Sequence, residues 1–249
     1  MSLETINFKR LALTDGDQLL DLGCGEGRHS ISAYLLKNVS AIGLDLSIND
    51  LNTAKQRFAD FQQPDQPDRD LSFISGNGQA LPFADHQFDK VICSEVLEHI
   101  HDYPRVLAEI KRVLKPGGIL GISVPRFFPE WVCWMLSKAY HEVEGGHVRI
   151  FNARKLQSQI ESIGFAKFDK HYAHSLHVPY WWLKCLFWQE GDPQAENWIV
   201  KQYHRFLVWD LIKQPWITGI ADSLLNPILG KSVVMYFVHR ERTSEGSPA

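Results

Sequence analysis

The chain has 249 residues, 45% of them hydrophobic, with 26 Lys and Arg against 29 Asp and Glu for a formal charge of −3. That length suffices for one α/β domain with elaborations and a sizeable core, and without a dense basic block the electrostatic footprint of a nucleic-acid binder is missing. Four cysteines, Cys24, Cys93, Cys133 and Cys185, form no CxxC pair, which excludes a zinc knuckle or disulfide framework and suits a reducing, cytoplasmic setting. The N-terminus lacks the apolar run of a signal peptide, and no uncharged run approaches the ~20 residues that span a bilayer, so a soluble chain is expected.

In chain order, short β-rich runs alternate with helical patterns: "QLLDL", a helix from about Arg28, "SAIGLD", a helix from about Asn49, "LSFIS", "FDKVIC", a helix from Pro104 and "GILGIS". This alternation predicts an α/β fold with a mostly parallel sheet covered on both faces. In the Pro104 helix, Val106, Leu107, Ile110, Val113 and Leu114 form the apolar stripe, and Pro116, Gly117 and Gly118 stop it. A helix over 152–163 ends at Gly164, "FAKFDKHY" reads as a strand, and "SVVMYFVH" reads as the last strand. The divisions are a core over 1–125, a first insertion over 126–150, a core helix and strand over 151–173, a second insertion over 174–230, a last core strand over 231–241 and a flexible tail over 242–249.

The insertions hold all eight tryptophans: Trp131, Trp134, Trp181, Trp182, Trp188, Trp198, Trp209 and Trp216. Following the fifth and sixth strands of a parallel sheet, both should rise from the ligand-binding edge as a helical cap. From Asn197 onward, Ile199, Tyr203, Phe206, Leu207 and Leu211 share one helical face, which must pack on the main domain, act as a substrate lid or meet a membrane interface.

The stretch "LLDLGCGEGRHS" puts Gly23, Gly25 and Gly27 at alternate positions after a buried strand. Such a turn lets backbone N–H groups and a helix N-terminus approach a ligand closely. Its spacing is one residue short of the GxGxxG dinucleotide fingerprint, which disfavours a nicotinamide cofactor. Asp45, followed by Leu46, ends the next strand, where a carboxylate can accept both hydroxyl protons of a ribose.

These residues resemble the class I S-adenosylmethionine-dependent methyltransferases, and the ubiquinone-biosynthesis type in particular. "DLGCGEG" matches the first motif of that class, and "GLDLS", "GNGQALPFADHQFDKVICSEVLEHIHD" and "LKPGGILGISVP" follow in order over residues 19–125. The resemblance implies a Rossmann-like seven-strand sheet and S-adenosyl-L-methionine as cofactor. Its methionine part would lie on the turn of Gly23, Cys24, Gly25 and Gly27 with Asp21 near its amino group, and its ribose on Asp45 beside Leu46. Asn77 and Gly78 stand where the class places its adenine contact, an amide replacing the usual acid. Cys93, Ser94 and Glu95 would flank the sulfonium, although a small buried role suits Cys93 better.

Methyl transfer is an in-line displacement that needs positioning, exclusion of water and, for a hydroxyl acceptor, a base. His99, His101 and His147 are the candidates. "SEVLEH" also resembles a metal-binding stretch, so Glu95, Glu98 and His99 form an alternative divalent site beside the simpler expectation of no metal. His171, His174 and His177, spaced by three, lack a completing ligand. The sequence therefore predicts a methyltransferase for a small lipophilic or aromatic molecule, acting at oxygen, with no nucleic-acid partner and with the Trp-rich cap as a conceivable peripheral membrane contact. A cofactor-binding regulatory protein, or transfer to nitrogen or carbon, is the alternative.

Overall fold

The computed structural model describes residues 4–62, 68–142, 145–187 and 197–240; Trp188 and the tail over 242–249 lie outside them. Its strands are β1 (Gln18–Leu22), β2 (Ser40–Asp45), β3 (Asp70–Ser75), β4 (Phe88–Ser94), β5 (Leu114–Pro125), β6 (Phe165–Ala173) and β7 (Ser232–His239). Its helices are α1 (Arg28–Leu36), α2 (Ile48–Ala59), α3 (Tyr103–Val113), α4 (Phe127–Leu136), α5 (Ala139–Glu142), α6 (Ala153–Ser162), α7 (Val178–Leu186), α8 (Trp198–Lys213) and α9 (Trp216–Leu229). One sheet of order β3-β2-β1-β4-β5-β7-β6 joins all seven strands, and β7 alone runs antiparallel to its neighbours. This is the Rossmann-like seven-strand sheet that the sequence resemblance implies.

Side chains alternate across the sheet, so each strand feeds two cores. Leu20, Leu22, Val233, Met235 and Phe237 point to the face covered by α3 and α6, where Val106, Ile110, Leu156 and Ile160 are fully buried. Leu19, Val234 and Tyr236 point to the other face, covered by Ile31 and Tyr34 of α1 and Leu51, Ala54 and Phe58 of α2. This second face continues over β5 and β7. The N-terminal segment covers it with Ile6, Phe8, Leu11 and Leu13, and the Tyr236 hydroxyl accepts from the Asn7 N–H at 2.7 Å.

Local signals fix the helix starts. Ser47 caps α2, its Oγ accepting from the Asp50 N–H, and Asn152 caps α6 through the Arg154 and Lys155 N–H groups. Two expectations need correction. The Pro104 helix does stop before Pro116, but Leu114, expected on its stripe, already belongs to β5: it pairs with Phe88, and pairing resumes with Ile119 opposite Lys90 across an irregularity that absorbs the extra residues. On α8 the buried residues are Val200, Leu207 and Asp210, whereas Ile199 is 44% exposed. The rest of the expected face, Tyr203, Phe206, Leu207 and Leu211, is buried or half-buried, and Val200 and Asp210 join it.

The cap grows from one row of the sheet. Ser232 pairs with Pro125 on one side and Ala173 on the other, so both insertions leave the strands at the same level. Helix α4 packs on α7 and α7 on α8, while the Trp182 Nε1–H donates to the Pro129 carbonyl at 3.0 Å. Ser175 and Asn226 tie α9 to the end of β6.

Candidate cofactor and acceptor site

The site begins where the strand order reverses, between β1 and β4. Leu22 pairs with Leu44 on one side and Cys93 on the other, so Gly23, Asp45 and Ser94 open at one level of the carboxyl edge. The Gly25 N–H donates to Asp45 Oδ2 and the Ser47 N–H to Asp45 Oδ1, both at 2.8 Å. Asp45 thus braces the glycine turn and keeps a second lone pair on each oxygen for a diol. Leu46 beside it is 67% exposed.

Two glycines of the turn do different work. A Cβ on Gly27, at φ +82°, would stand 2.9 Å from the Phe73 ring and 3.0 Å from Ala54 Cβ, so this glycine seats α1 against the sheet. A Cβ on Gly25, at φ +52°, would meet nothing within 4 Å: the space above it is open, as a ligand approaching the backbone requires. Beneath the turn Asp21 is fully enclosed, with Ser30 Oγ donating to its Oδ2 at 2.6 Å. Burial lifts its carboxyl to about 6, against the pull of Ser30 and Arg28.

Asn77 is exposed and its Oδ1 accepts from the Gln79 N–H at 2.9 Å, closing an Asx turn; Gly78 is buried against Leu22. The Cys24 and Cys93 thiols are buried, which pushes both well above the ordinary thiol range. Cys93 lies wholly within the core, with β4 paired on both sides at that residue. Ser94 and Ser123 share a hydroxyl hydrogen bond of 2.9 Å, and Ser123 Oγ donates to Glu95 Oε1, also at 2.9 Å.

Beyond the turn a cavity of about 450 Å³ separates the sheet edge from the cap. Arg28, Glu95 and Lys231 supply its charged wall, Tyr180 and Trp181 an aromatic one, and Leu207 and Leu211 of α8 an aliphatic one. Of the three candidate bases only His147 lines it. Its Nδ1 pairs at 2.5 Å with Glu130, which is 3% exposed and also accepts from Trp134 Nε1–H at 3.0 Å and the Tyr140 hydroxyl at 3.2 Å. Burial alone would raise the Glu130 carboxyl; the hydrogen bond and charge of His147 outweigh it and hold the group below the ordinary range. His101 is exposed on the turn before α3 and does not line the cavity.

The alternative metal triad is regrouped. Glu95, at φ +57°, turns to Ser123 and to Lys231, whose Nζ lies 3.6 Å from its Oε2. His147 replaces it beside Glu98 and His99, the ligand atoms of these three lying within 4.8 Å of one another. Sequence reasoning missed Arg28, Lys231 and Glu130. Glu130 had a signal, since it is the lone acid in the apolar "FFPEWVCWML".

Comparison with known proteins agrees with this geometry. Residues 20–122 match the family model described as a methyltransferase domain. The chain is 38% identical over 113 residues to a demethylmenaquinone methyltransferase of Oceanobacillus iheyensis, covering 45% of each protein. It is 31% identical over 115 residues to an O-methyltransferase of Aspergillus nomiae, covering 46% of this chain and 49% of the relative. The chain therefore matches about half the length of these curated relatives. Over 94% of its length it superposes on 97% of a putative methyltransferase from Bacillus halodurans, with a TM-score of 0.64 and 17% identity. The braced turn, the open space over Gly25 and the acid at the end of β2 all lie within residues 20–122, the part of the chain that is similar to a methyltransferase domain.

Proposed function

We propose that the protein transfers the S-adenosylmethionine methyl group to the oxygen of a small lipophilic hydroxyl compound, aromatic or quinone-like, held in the cavity under the cap. The Glu130–His147 pair, with His147 on the cavity wall and Glu130 behind it, carries the reading. With the Glu130 carboxylate accepting from Nδ1–H, His147 presents an Nε2 lone pair, the tautomer a general base needs. His147 takes the hydroxyl proton as the oxygen attacks the methyl carbon, and the carbon–sulfur bond to the sulfonium breaks in line. Arg28 and Lys231 offset charge growing on that oxygen. The aromatic and aliphatic walls exclude water and favour an apolar acceptor. The named activities of the demethylmenaquinone and O-methyltransferase relatives support the same substrate class.

Glu98 favours a second reading. Its carboxylate is fully buried, and neither oxygen has a hydrogen-bond partner among the described residues. Glu98, His99 and His147 offer a carboxylate and two imidazoles, which suit a borderline divalent ion. Such an ion would act as a Lewis acid on the acceptor hydroxyl, leaving His147 as a ligand.

Incubation with methyl-labelled cofactor and a panel of lipophilic phenols and matched amines tests both. Labelled ethers are expected, and His147→Ala should lower kcat by about 100-fold or more with cofactor affinity retained. Labelled amines, or an unchanged kcat in His147→Ala, would overturn the oxygen reading. Loss of activity on chelation with recovery on adding Mn²⁺ or Zn²⁺ selects the second reading, and indifference to chelation selects the first.

A further inference from the structure

The cap exposes an apolar surface that the cofactor and acceptor sites do not use. On α9, Trp216, Ile220, Leu224 and Ile228 recur every fourth residue and are 74%, 51%, 69% and 72% exposed, so they form one continuous ridge. On α8, Trp209 and Ile212 share an outer groove with Val208, and Arg205 and Lys213 flank it. Single exposed apolar residues are ordinary; a ridge along one helix and an apolar groove on the helix that precedes it in the chain mark an interaction surface.

Charge identifies the occupant. Among the described residues of 197–230 the exposed Lys, Arg, Asp and Glu side chains are all basic: Lys201, Arg205 and Lys213. Asp210 is buried, and Asp222 is half-buried and accepts hydrogen bonds from Ser175 and Asn226. A basic apolar face on a chain of net charge −3 complements an anionic surface. No helix among the described residues is long and apolar enough to cross a membrane, so contact would be interfacial.

We propose that the outer face of α8 and α9 docks on an anionic lipid bilayer, with Trp209 and Trp216 at headgroup level and Arg205 and Lys213 against lipid phosphates. The inner side of α8 supplies His204, Leu207 and Leu211 to the acceptor cavity, so one helix joins docking face and pocket. A lipophilic acceptor dissolved in the bilayer would then reach the cavity along α8. That delivery route rests on the proposed acceptor class; docking itself does not.

Co-sedimentation with vesicles of phosphatidylcholine plus phosphatidylglycerol, and of phosphatidylcholine alone, tests docking without any acceptor. The protein should partition to the anionic vesicles, lose binding as salt rises, and shift its tryptophan emission to the blue. Arg205→Gln with Lys213→Gln should weaken partitioning by about 5-fold per charge removed, and Trp216→Ser with Leu224→Ser by about 10-fold or more. Calorimetry with S-adenosylmethionine should show retained affinity in both double variants, since none of the four residues lies in the glycine turn or lines the acceptor cavity. If a variant fails this control, the salt dependence and emission shift of the unaltered protein decide. The proposal is overturned if the unaltered protein stays in the supernatant of anionic vesicles at low salt. It is equally overturned if the protein is a dimer that Trp216→Ser with Leu224→Ser dissociates, which would make this face a contact between copies.

Discussion

Asp21 is where stability and cofactor binding should oppose each other. Its carboxyl is enclosed beneath the glycine turn, and burial raises it from 3.8 to about 6. The folded protein therefore holds a proton on Asp21 more tightly than the unfolded chain does. Between those two values stability falls as pH rises, and above about 6 the cost of the buried charge is complete. A shift of roughly two units corresponds to roughly 3 kcal/mol at neutral pH. Asn has the same shape, carries no charge and can still accept from Ser30 Oγ. Asp21→Asn should thus stabilise the free protein by up to roughly 3 kcal/mol near neutral pH, ~6–12 °C in Tm for a chain of this size, and by almost nothing near pH 4. The His29 imidazole, pushed down to about 3 by burial, tilts both melting curves alike and cancels in the difference. Asp21 also stands where the sequence resemblance puts the partner of the cofactor's amino group, so the same change should lower S-adenosylmethionine affinity ~10- to 100-fold. Thermal melts of both proteins across this pH range, with calorimetric titration of the cofactor, measure the two effects. A variant less stable than the parent near neutral pH, or a Tm difference independent of pH, would refute the desolvation argument.

Other predictions separate fold from chemistry. Gly27→Ala should destabilise by about 2–4 kcal/mol in urea unfolding, combining a strained positive φ with the clash against Phe73 and Ala54. Gly25→Ala should cost only about 1–2 kcal/mol and instead abolish cofactor binding, because its methyl fills open space over the turn. Glu130→Gln should lower kcat by about 100-fold while leaving the cofactor Kd unchanged, since His147 loses the partner that fixes its tautomer. His29 Nε2 accepts from the Thr5 and Ile6 N–H groups only when neutral. Its lowered value means that stability present above pH ~6.5 is lost as pH falls, at roughly 1.4 kcal/mol per pH unit; His29→Ala should flatten that slope and release the N-terminal segment.

Much of the core was legible because its signals are local. Alternating strands and helices, the glycine turn and Asp45 depend on neighbours a few residues apart, and the observed β7 coincides with "SVVMYFVH". The missing parts depend on distant contacts. Ile6, Phe8, Leu11 and Leu13 follow no helical or strand period, so nothing local announces that they cover the sheet. Pro116, Gly117 and Gly118 read as the stop of the preceding helix, and nothing local announces that β5 already begins at Leu114, opposite Phe88. On α8 the apolar period found Tyr203, Phe206, Leu207 and Leu211 but not Asp210, a buried polar residue that no hydrophobic pattern reveals. His147 was one of several histidines in sequence. What distinguishes it is Glu130, 17 residues earlier and on a different element, brought within 2.5 Å by the fold of the first insertion.

The most direct test of the central claim is a crystal structure with S-adenosylhomocysteine bound. The homocysteine part should lie on the turn between Gly23 and Gly27, the ribose diol on Asp45, and the sulfur should face the cavity bounded by Glu95, His147 and Trp181. A sulfur turned away from that cavity, or a nucleoside bound elsewhere, would contradict the account.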